Sequence, residues 1–293
     1  LSLDNAIAPI FVLIWSTGFV IARLAMPYVE PATFLFWRFA GVLTAMAALS
    51  LVWKISWPSW SQTKHIAVAG ILLQFGYLLG VWFAVRLGMT AGLVAIIVGL
   101  QPILTAWFAA WISEKVSTRQ WIGLAFGFAG VALVVAEKIS FVHIPFVSYL
   151  LAFIALLSIT FGTLYQKKYC PVFDLRAGSS IQFGVSAILC FICMYLFESG
   201  EMVWNLSVTG ALLWAIFPLS IGSISLLFMM IRKGAATKVT SFLYLVPPTT
   251  AVMAWFLFSE PFTVLMAVGL GLTMTGVVLV NTGKTNNVAT IAE

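Results

Sequence analysis

Ten apolar runs, each 17–24 residues long, dominate the sequence of 293 residues. A hydrocarbon core about 30 Å thick needs about 20 apolar residues of α-helix. The runs cover residues 6–25, 32–53, 66–85, 90–112, 120–136, 147–166, 177–197, 208–231, 235–258 and 262–281. The connections between them are mostly 4–12 residues long, which leaves no room for a soluble domain. The sequence therefore predicts an all-α integral membrane protein with ten transmembrane helices, whose function lies within the bundle.

The composition excludes most other classes of protein. Hydrophobic residues make up 62% of the chain and charged residues 8%, whereas a soluble domain is typically about 25% charged. A soluble enzyme, a nucleic-acid-binding protein and a disordered chain are all poor interpretations. The net charge of +6 comes from scattered basic residues, so no nucleic-acid partner is expected. The expected partners are the lipid bilayer and a small-molecule substrate, for a monomer or a homodimer.

Basic residues are distributed unevenly between the two sides that these helices define. With the N-terminus in the cytoplasm, eleven of the fifteen Lys and Arg residues fall in cytoplasmic loops and the tail, and three fall in outer loops. Cytoplasmic loops of membrane proteins carry such an excess. We therefore expect a multi-pass protein of the inner cell membrane with both termini in the cytoplasm.

The two halves of the sequence match when one is displaced by 146 residues. Between residues 86–134 and 232–280, eleven of 49 positions are identical without a gap. The most distinctive matched pairs are Arg86/Arg232, Gly88/Gly234, Pro102/Pro248, Ser113/Ser259 and Glu114/Glu260. Each half has five helices, an odd number, so the second half must enter the membrane from the opposite side. Such inverted repeats are typical of secondary transporters, whose binding sites lie near the mid-membrane plane between the repeats.

Both copies of this block resemble the repeat signature of the drug/metabolite transporter superfamily, EamA type. Residues 99–135 and 245–280 each combine a mid-helix proline, a Ser-Glu pair at the helix end and a Gly-rich helix. Residues 15–41 are similar to the first two helices of that family. The resemblance implies a 5+5 inverted-topology bundle with a central cavity, in the manner of bacterial amino-acid and metabolite exporters. It divides the chain into a first EamA repeat at 1–137, a second at 144–283 and a cytoplasmic tail at 284–293.

Arg38 is the one basic residue well inside a predicted span, because Arg23 and Lys238, counted with the loops above, lie within about three residues of a span end. Charged residues inside a membrane are costly and usually functional, so Arg38 is a candidate cation for a substrate carboxylate. The alternative is a side chain that reaches the membrane surface or binds carbonyl groups at helix ends. In the second half, Gln182 stands at the similar place.

Other candidates for lining the cavity are aromatic and polar side chains at mid-membrane depth. Buried polar groups in lipid need partners, so such residues tend to face the interior of the bundle, although some make helix-to-helix hydrogen bonds only. The candidates are Trp15, Ser16, Gln74, Tyr77, Gln101, Ser158, Thr160, Ser220, Ser223 and Tyr244. Pro102 and Pro248 are predicted to kink helices 4 and 9 around the cavity and to serve as hinges, unless the kinks only aid packing.

Helix ends and glycines have structural interpretations. Glu114 and Glu260 precede helices 5 and 10, where an acidic group favours the amides of a helix N-terminus. The glycines of helices 5 and 10 suit close helix packing, as a scaffold or a dimer contact.

Residues for catalysis or metal binding are sparse. Cys190 and Cys193 lie in an apolar run, where packing is the better interpretation, and His65 and His143 are expected in loops. No catalytic residue, metal site or cofactor is therefore expected. The prediction is a secondary transporter and exporter of small organic metabolites such as amino acids, working by alternating access. The alternatives are a membrane enzyme acting on lipid-linked substrates and a channel.

Overall fold

The computed structural model describes residues 3–50, 56–101, 103–105, 107–108, 118–141, 144–170, 173–223, 225–226, 245–260 and 262–282. These residues are almost entirely helical, and their one extended pairing is an isolated antiparallel bridge between Val29 and Met202. The helices are α1 Leu3–Ala25, α2 Pro31–Ser50, α3 Trp60–Arg86, α4 Ala91–Val98, α5 Thr118–Phe141, α6 Phe146–Tyr169, α7 Leu175–Phe197, α8 Leu206–Gly222, α9 Val246–Phe258 and α10 Val264–Thr282.

Four stretches are both long and apolar enough to cross a bilayer: Pro31–Ala48, Trp60–Arg86, Phe146–Tyr169 and Arg176–Phe197. The other described helices contain shorter apolar stretches. Large apolar side chains cover the outside of the bundle, and Phe146, Tyr195 and Phe197 are each 78% exposed. A soluble monomer rarely exposes so much apolar surface, whereas lipid covers it without cost. The protein is therefore an all-α, multi-pass membrane protein.

Helix α3 begins earlier than its apolar run. Ser59 is the N-cap and its hydroxyl accepts a hydrogen bond from the amide of Gln62 at 3.3 Å, so the helix starts at Trp60 rather than 66. The prediction that His65 lies in a loop is wrong, because His65 is within α3. An apolar run marks the part of a helix inside the hydrocarbon, and the backbone continues beyond it until a cap ends the hydrogen-bonding pattern.

Helices of the first half pack on helices of the second half. Contacts join α2 to α7, α4 to α9 and α5 to α10. A Cβ atom on Gly130 would overlap the backbone of Gly269 and Thr273, and one on Gly276 would overlap Gly123 and Gly127. The glycines of α5 and α10 therefore form a close contact within the chain, as in other membrane helices with small interfacial residues.

Two helices widen into π-helical segments, Ile71–Gly76 in α3 and Ala215–Gly222 in α8. Both end at a glycine, and Gly76 and Gly222 are separated by the same 146 residues that relate the two halves of the sequence. Pro218 lies inside the second segment, where its missing N–H interrupts the α-helical pattern. Such segments are frequent at functional sites because they redirect side chains.

Candidate functional site

A cavity of about 300 Å³ lies between the two halves, enclosed by side chains from α1, α2, α3, α6, α7 and α8. Its polar lining consists of Arg38, Gln74, Tyr77, Gln166, Ser179, Gln182 and Ser220. Its aromatic lining consists of Trp15, Phe19, Tyr77, Trp82, Phe173 and Phe183. A few polar groups within an apolar, aromatic wall are typical of sites for small organic molecules.

Arg38 is 5% exposed and lies on the cavity wall. Its Nε and Nη2 groups donate hydrogen bonds to the Ser220 hydroxyl oxygen at 3.2 and 3.1 Å, and its guanidinium carbon lies 6.0 Å from the centre of the Phe39 ring. The Ser220 hydroxyl donates in turn to the carbonyl of Ala215 at 2.8 Å. Among the described residues, no carboxylate lies within ion-pair distance of Arg38. A hydroxyl from the other half of the chain therefore fixes this buried cation without neutralising it.

The two π-helical segments deliver equivalent side chains to the cavity. Leu73 and Gln74 come from the first segment, and Leu219 and Ser220 come from the second. Displacement by 146 residues pairs Leu73 with Leu219 and Gln74 with Ser220. The cavity is thus lined at corresponding places by both halves, but only one of the two places hydrogen-bonds a buried arginine.

The structure separates the predicted site residues into three groups. Five of them, Trp15, Arg38, Gln74, Tyr77 and Ser220, line this cavity, and Gln101 lines an adjoining space of about 60 Å³ with Trp15 and Tyr77. Four are not among the described lining residues: Ser16, Ser158, Thr160 and Ser223. Tyr244 and Pro102 lie outside the described residues.

The three serines outside the lining interact with groups of their own helix or lie against a neighbouring helix. Ser16 is buried and donates to the carbonyl of Val12 at 2.7 Å. Ser223 donates to the carbonyl of Pro218 at 3.5 Å. Ser158 lies where a Cβ atom on Gly76 would contact its hydroxyl at 2.8 Å.

Pro248 lies in the first turn of α9, which begins at Val246. A proline in the first turn removes an N–H that would have no intrahelical partner, so it costs no hydrogen bond there. The described residues begin at Leu245 in this part of the chain, and the hinge role of Pro248 stays a prediction.

Ser220, a candidate on sequence grounds, is also the repeat equivalent of Gln74. Several other lining residues were missed by sequence reasoning. Gln166, Ser179 and Phe173 gave no signal, since they stand near or beyond helix ends, where polar side chains usually face water. Only the approach of α6 and α7 to α3 brings these residues onto the cavity wall.

One end of the bundle is closed by a structure that we call the clasp, formed by residues 28–33 and 198–203. The Glu198 carboxylate accepts hydrogen bonds from the amides of Ala32 at 2.8 Å and Thr33 at 2.7 Å, and from the Thr33 hydroxyl at 2.8 Å. Glu30 accepts from the amide and hydroxyl of Ser199 at 2.8 and 2.9 Å. A carboxylate at a helix N-terminus satisfies free amides and favours the helix dipole. Each half therefore supplies a carboxylate that accepts hydrogen bonds from the other half.

A third carboxylate, that of Glu260, stabilises the same end. Glu260 is 7% exposed, and its Oε1 accepts a hydrogen bond from the amide of Ala91 at 3.2 Å. The prediction that Glu260 binds amides at the N-terminus of α10 is wrong, because Glu260 binds the first residue of α4 instead. Near the start of α10, the Thr263 hydroxyl accepts a hydrogen bond from the amide of Met266. The reason is tertiary, because the close packing of α9 on α4 brings the two ends together. Glu114 lies outside the described residues.

The opposite end, which we call the mouth, is bounded by residues 165–170 and 173–182. Gln182 donates a hydrogen bond to Gln166 at 2.8 Å, and the Tyr165 hydroxyl lies 2.8 Å from Nδ1 of His65. Gln166 and Phe173 on the cavity wall are only half-buried here. Asp174 caps α7 and forms an ion pair with Arg176 at 2.7 Å, which lowers the pKa of Asp174 to about 2.

Comparisons with known proteins point in one direction. The sequence model of the EamA-like transporter family matches residues 6–136 and 146–282. The chain is 29% identical over 276 residues to the uncharacterized transporter YvbV of Bacillus subtilis, covering 92% of this chain and 89% of that one. It is 22% identical to a probable amino-acid metabolite efflux pump of Escherichia coli K12, covering 93% of both chains. A solved crystal structure aligns with a TM-score of 0.67 at 17% identity over 94% of each chain, a likeness that shows the fold alone.

Proposed function

This chain belongs to the EamA-like transporter family, and from that premise we propose that it exports small organic metabolites, such as amino acids, across the cytoplasmic membrane. Its relatives are named as transporters, and a relative spanning nearly the whole chain is named as a probable amino-acid metabolite efflux pump. The protein is a membrane transporter by family; the direction of transport, the kind of solute and the mechanism are our proposal.

The observation that carries the proposal is a cavity between two halves, at one end of which the described residues of those halves contact each other. Glu198 and Glu30 join the α1–α2 connection to the α7–α8 connection across the clasp. Carriers work by alternating access, in which one repeat moves against the other around a fixed site. Breaking the clasp while closing the mouth would expose the same cavity to the other side of the membrane.

The distribution of basic residues supports an orientation. Lys167, Lys168 and Arg176 lie at the mouth, and the excess of such residues marks the cytoplasmic side. The clasp then faces outward, both termini face the cytoplasm and the cavity faces inward. In this state a cytoplasmic metabolite reaches Arg38 from the mouth, which is the starting point that export requires.

The two π-helical segments are suitable hinges. They lie at equivalent places in the two halves, beside the cavity. A π-helical segment and an α-helical one differ by a small local rearrangement of hydrogen bonds, so such segments tolerate bending. Pro102 and Pro248 are further hinge candidates on sequence grounds.

The test begins with a metabolite survey that compares the medium of overexpressing cells with that of deletion cells. Solutes from the survey are then measured with the purified protein in liposomes by counterflow. We expect flux that saturates with solute concentration and that is accelerated by solute on the far side. Flux that rises linearly without such acceleration would indicate a channel, and chemical conversion of the solute would indicate an enzyme.

A further inference from the structure

The charges of the side chains that line the cavity restrict the class of substrate that it can bind. Arg38 is the one charged side chain among the described residues that line it, and the other polar lining groups are neutral amides and hydroxyls. The nine acidic residues of the chain stand at positions 4, 30, 114, 137, 174, 198, 201, 260 and 293, all outside the ten predicted spans or at their ends. The cavity therefore offers a positive charge and no described counter-charge.

Arg38 retains hydrogen-bonding capacity. A guanidinium has five N–H donors, and Ser220 receives two of them, one from Nε and one from Nη2. The described residues provide no partner for the other three donors. A planar guanidinium fork binds a carboxylate with two parallel hydrogen bonds, and a buried cation is stabilised when such an anion arrives. Arg38 thus fits the carboxylate of a ligand.

A free amino acid brings an ammonium group as well, next to its carboxylate. With the carboxylate bound, that ammonium lies within a few ångströms of the guanidinium and is repelled by it. Removal of its water shell also needs an acidic partner, which the described lining lacks. The rings of Trp15, Phe19 and Trp82 can attract a cation, but beside Arg38 they more readily take the apolar body of the ligand.

We propose, resting on the transporter function above, that the cavity selects small monocarboxylates with an apolar or aromatic body and no ammonium group. Arg38 binds the carboxylate, Ser220 holds the guanidinium in place and the aromatic side chains enclose the body. A volume of about 300 Å³ is at the lower end of the range for ligand sites, which favours a ligand of few atoms. Free zwitterionic amino acids are disfavoured by the same arrangement, so among the small organic metabolites of the proposed function this inference replaces amino acids with monocarboxylates.

The test compares three probes that share a phenylethyl skeleton and differ in charge: 3-phenylpropanoate, phenylalanine and 2-phenylethylamine. Equilibrium binding to the purified full chain in lipid nanodiscs gives each Kd. We expect 3-phenylpropanoate to bind at least about ten-fold more tightly than phenylalanine, because the ammonium group of phenylalanine is repelled by the nearby guanidinium and loses its water shell without an acidic partner. The amine should bind most weakly. Equal or tighter binding of phenylalanine would overturn the inference.

Substitutions of Arg38 test whether this side chain causes the preference for the carboxylate probe. Arg38→Gln should weaken binding of 3-phenylpropanoate at least about ten-fold and leave phenylalanine within about two-fold, whereas Arg38→Lys should lose less, since it keeps the charge without the planar fork. Arg23→Gln, at the exposed end of α1, is the matched control. Thermal unfolding shows that each variant is folded. An Arg38→Gln protein that is folded and still binds the anion normally would refute the role of Arg38.

The substrate inference and the transporter proposal fail in different ways. Counterflow of solutes from the metabolite survey tests transport whatever their charge. If amines or zwitterions are carried independently of Arg38, the substrate class is wrong and the transporter function stands. If no solute shows saturable flux, the proposed function itself is wrong.

Discussion

The clasp and the mouth use acidic residues in opposite ways. At the end closed by the clasp, Glu198 in the clasp and Glu260 beside it accept hydrogen bonds from the N-terminal amides of α2 and α4 in the first half. At the mouth, Asp174 caps its own helix and pairs with Arg176 two residues away, and its backbone interaction with Ser56 of the first half is the smallest of its contacts. Acids that act mainly between halves resist their separation, whereas an acid that acts mainly within one helix resists it little. Movement of the two halves must therefore break carboxylate–amide hydrogen bonds at the closed end, whereas the main contacts of Asp174 at the mouth can stay intact.

The largest effect is expected from a covalent bond across the clasp. Val29 and Met202 form an antiparallel bridge, and paired residues in such a bridge have Cα atoms about 4.5–5.5 Å apart, within the range of a disulfide. In a background with Cys170, Cys190 and Cys193 replaced by alanine, Val29→Cys with Met202→Cys should lose counterflow by about ten-fold or more on oxidation. Reduction should restore it.

The single variants Val29→Cys and Met202→Cys are the controls for this pair. Full transport by the oxidised, cross-linked protein would show that the clasp does not open during the cycle.

Removal of the Glu198 charge should have the next largest effect. Glu198→Gln leaves one acceptor oxygen for three donors and places an amide N–H beside them, which should cost about 2 kcal/mol of stability. Thermal unfolding can be followed with a thiol-reactive dye, because Cys170 and Cys190 are buried in the folded protein. Glu201→Gln, an exposed acid of the same connection, should change stability little. Equal losses in both variants would mean that net charge matters rather than capping.

A smaller loss is expected for Glu260→Gln. Its Oε1 accepts one described hydrogen bond, at 3.2 Å, and its Oε2 has no partner among the described residues. Because an amide oxygen can keep that single bond, the loss should be about 1 kcal/mol. The same thermal unfolding assay ranks it against Glu198→Gln. A larger loss for Glu260→Gln would reverse the order of importance within the closed end.

The smallest effect is expected at the mouth. Asp174→Asn keeps an N-cap side chain and removes only an ion pair near the surface, so counterflow should stay within about two-fold of normal. The Arg176 hydrogen bond lowers the pKa of Asp174 to about 2, below its ordinary value. Its contribution to stability is therefore present above about pH 4 and is lost only as the pH falls toward 2. Stability measured between pH 5 and 8 should not reveal this pair, and a change there would assign Asp174 another role.

Much of the fold could be predicted from sequence because hydrophobic length is a local property. The apolar runs identified the described helical segments. The boundaries moved where caps such as Ser59 extend a helix past the hydrocarbon, and a turn at Gly99 and Leu100 interrupts the run 90–112. The candidate site was partly predictable for the same reason. Arg38 is conspicuous as a basic residue in an apolar run, and Gln74 and Tyr77 as polar groups at mid-membrane depth.

What the sequence determined by itself is that this chain is a bundle of membrane helices, since only such helices satisfy the backbone polar groups of so many apolar residues in lipid. The tertiary structure decided the rest. It places Ser220 beside Arg38, 182 residues away in the sequence, and Glu260 beside Ala91, 169 residues away. It also brought Gln166, Phe173 and Ser179 onto the cavity wall. These outcomes depend on which faces of distant helices meet, and helix packing is set by side-chain shape across the whole bundle rather than by any local pattern.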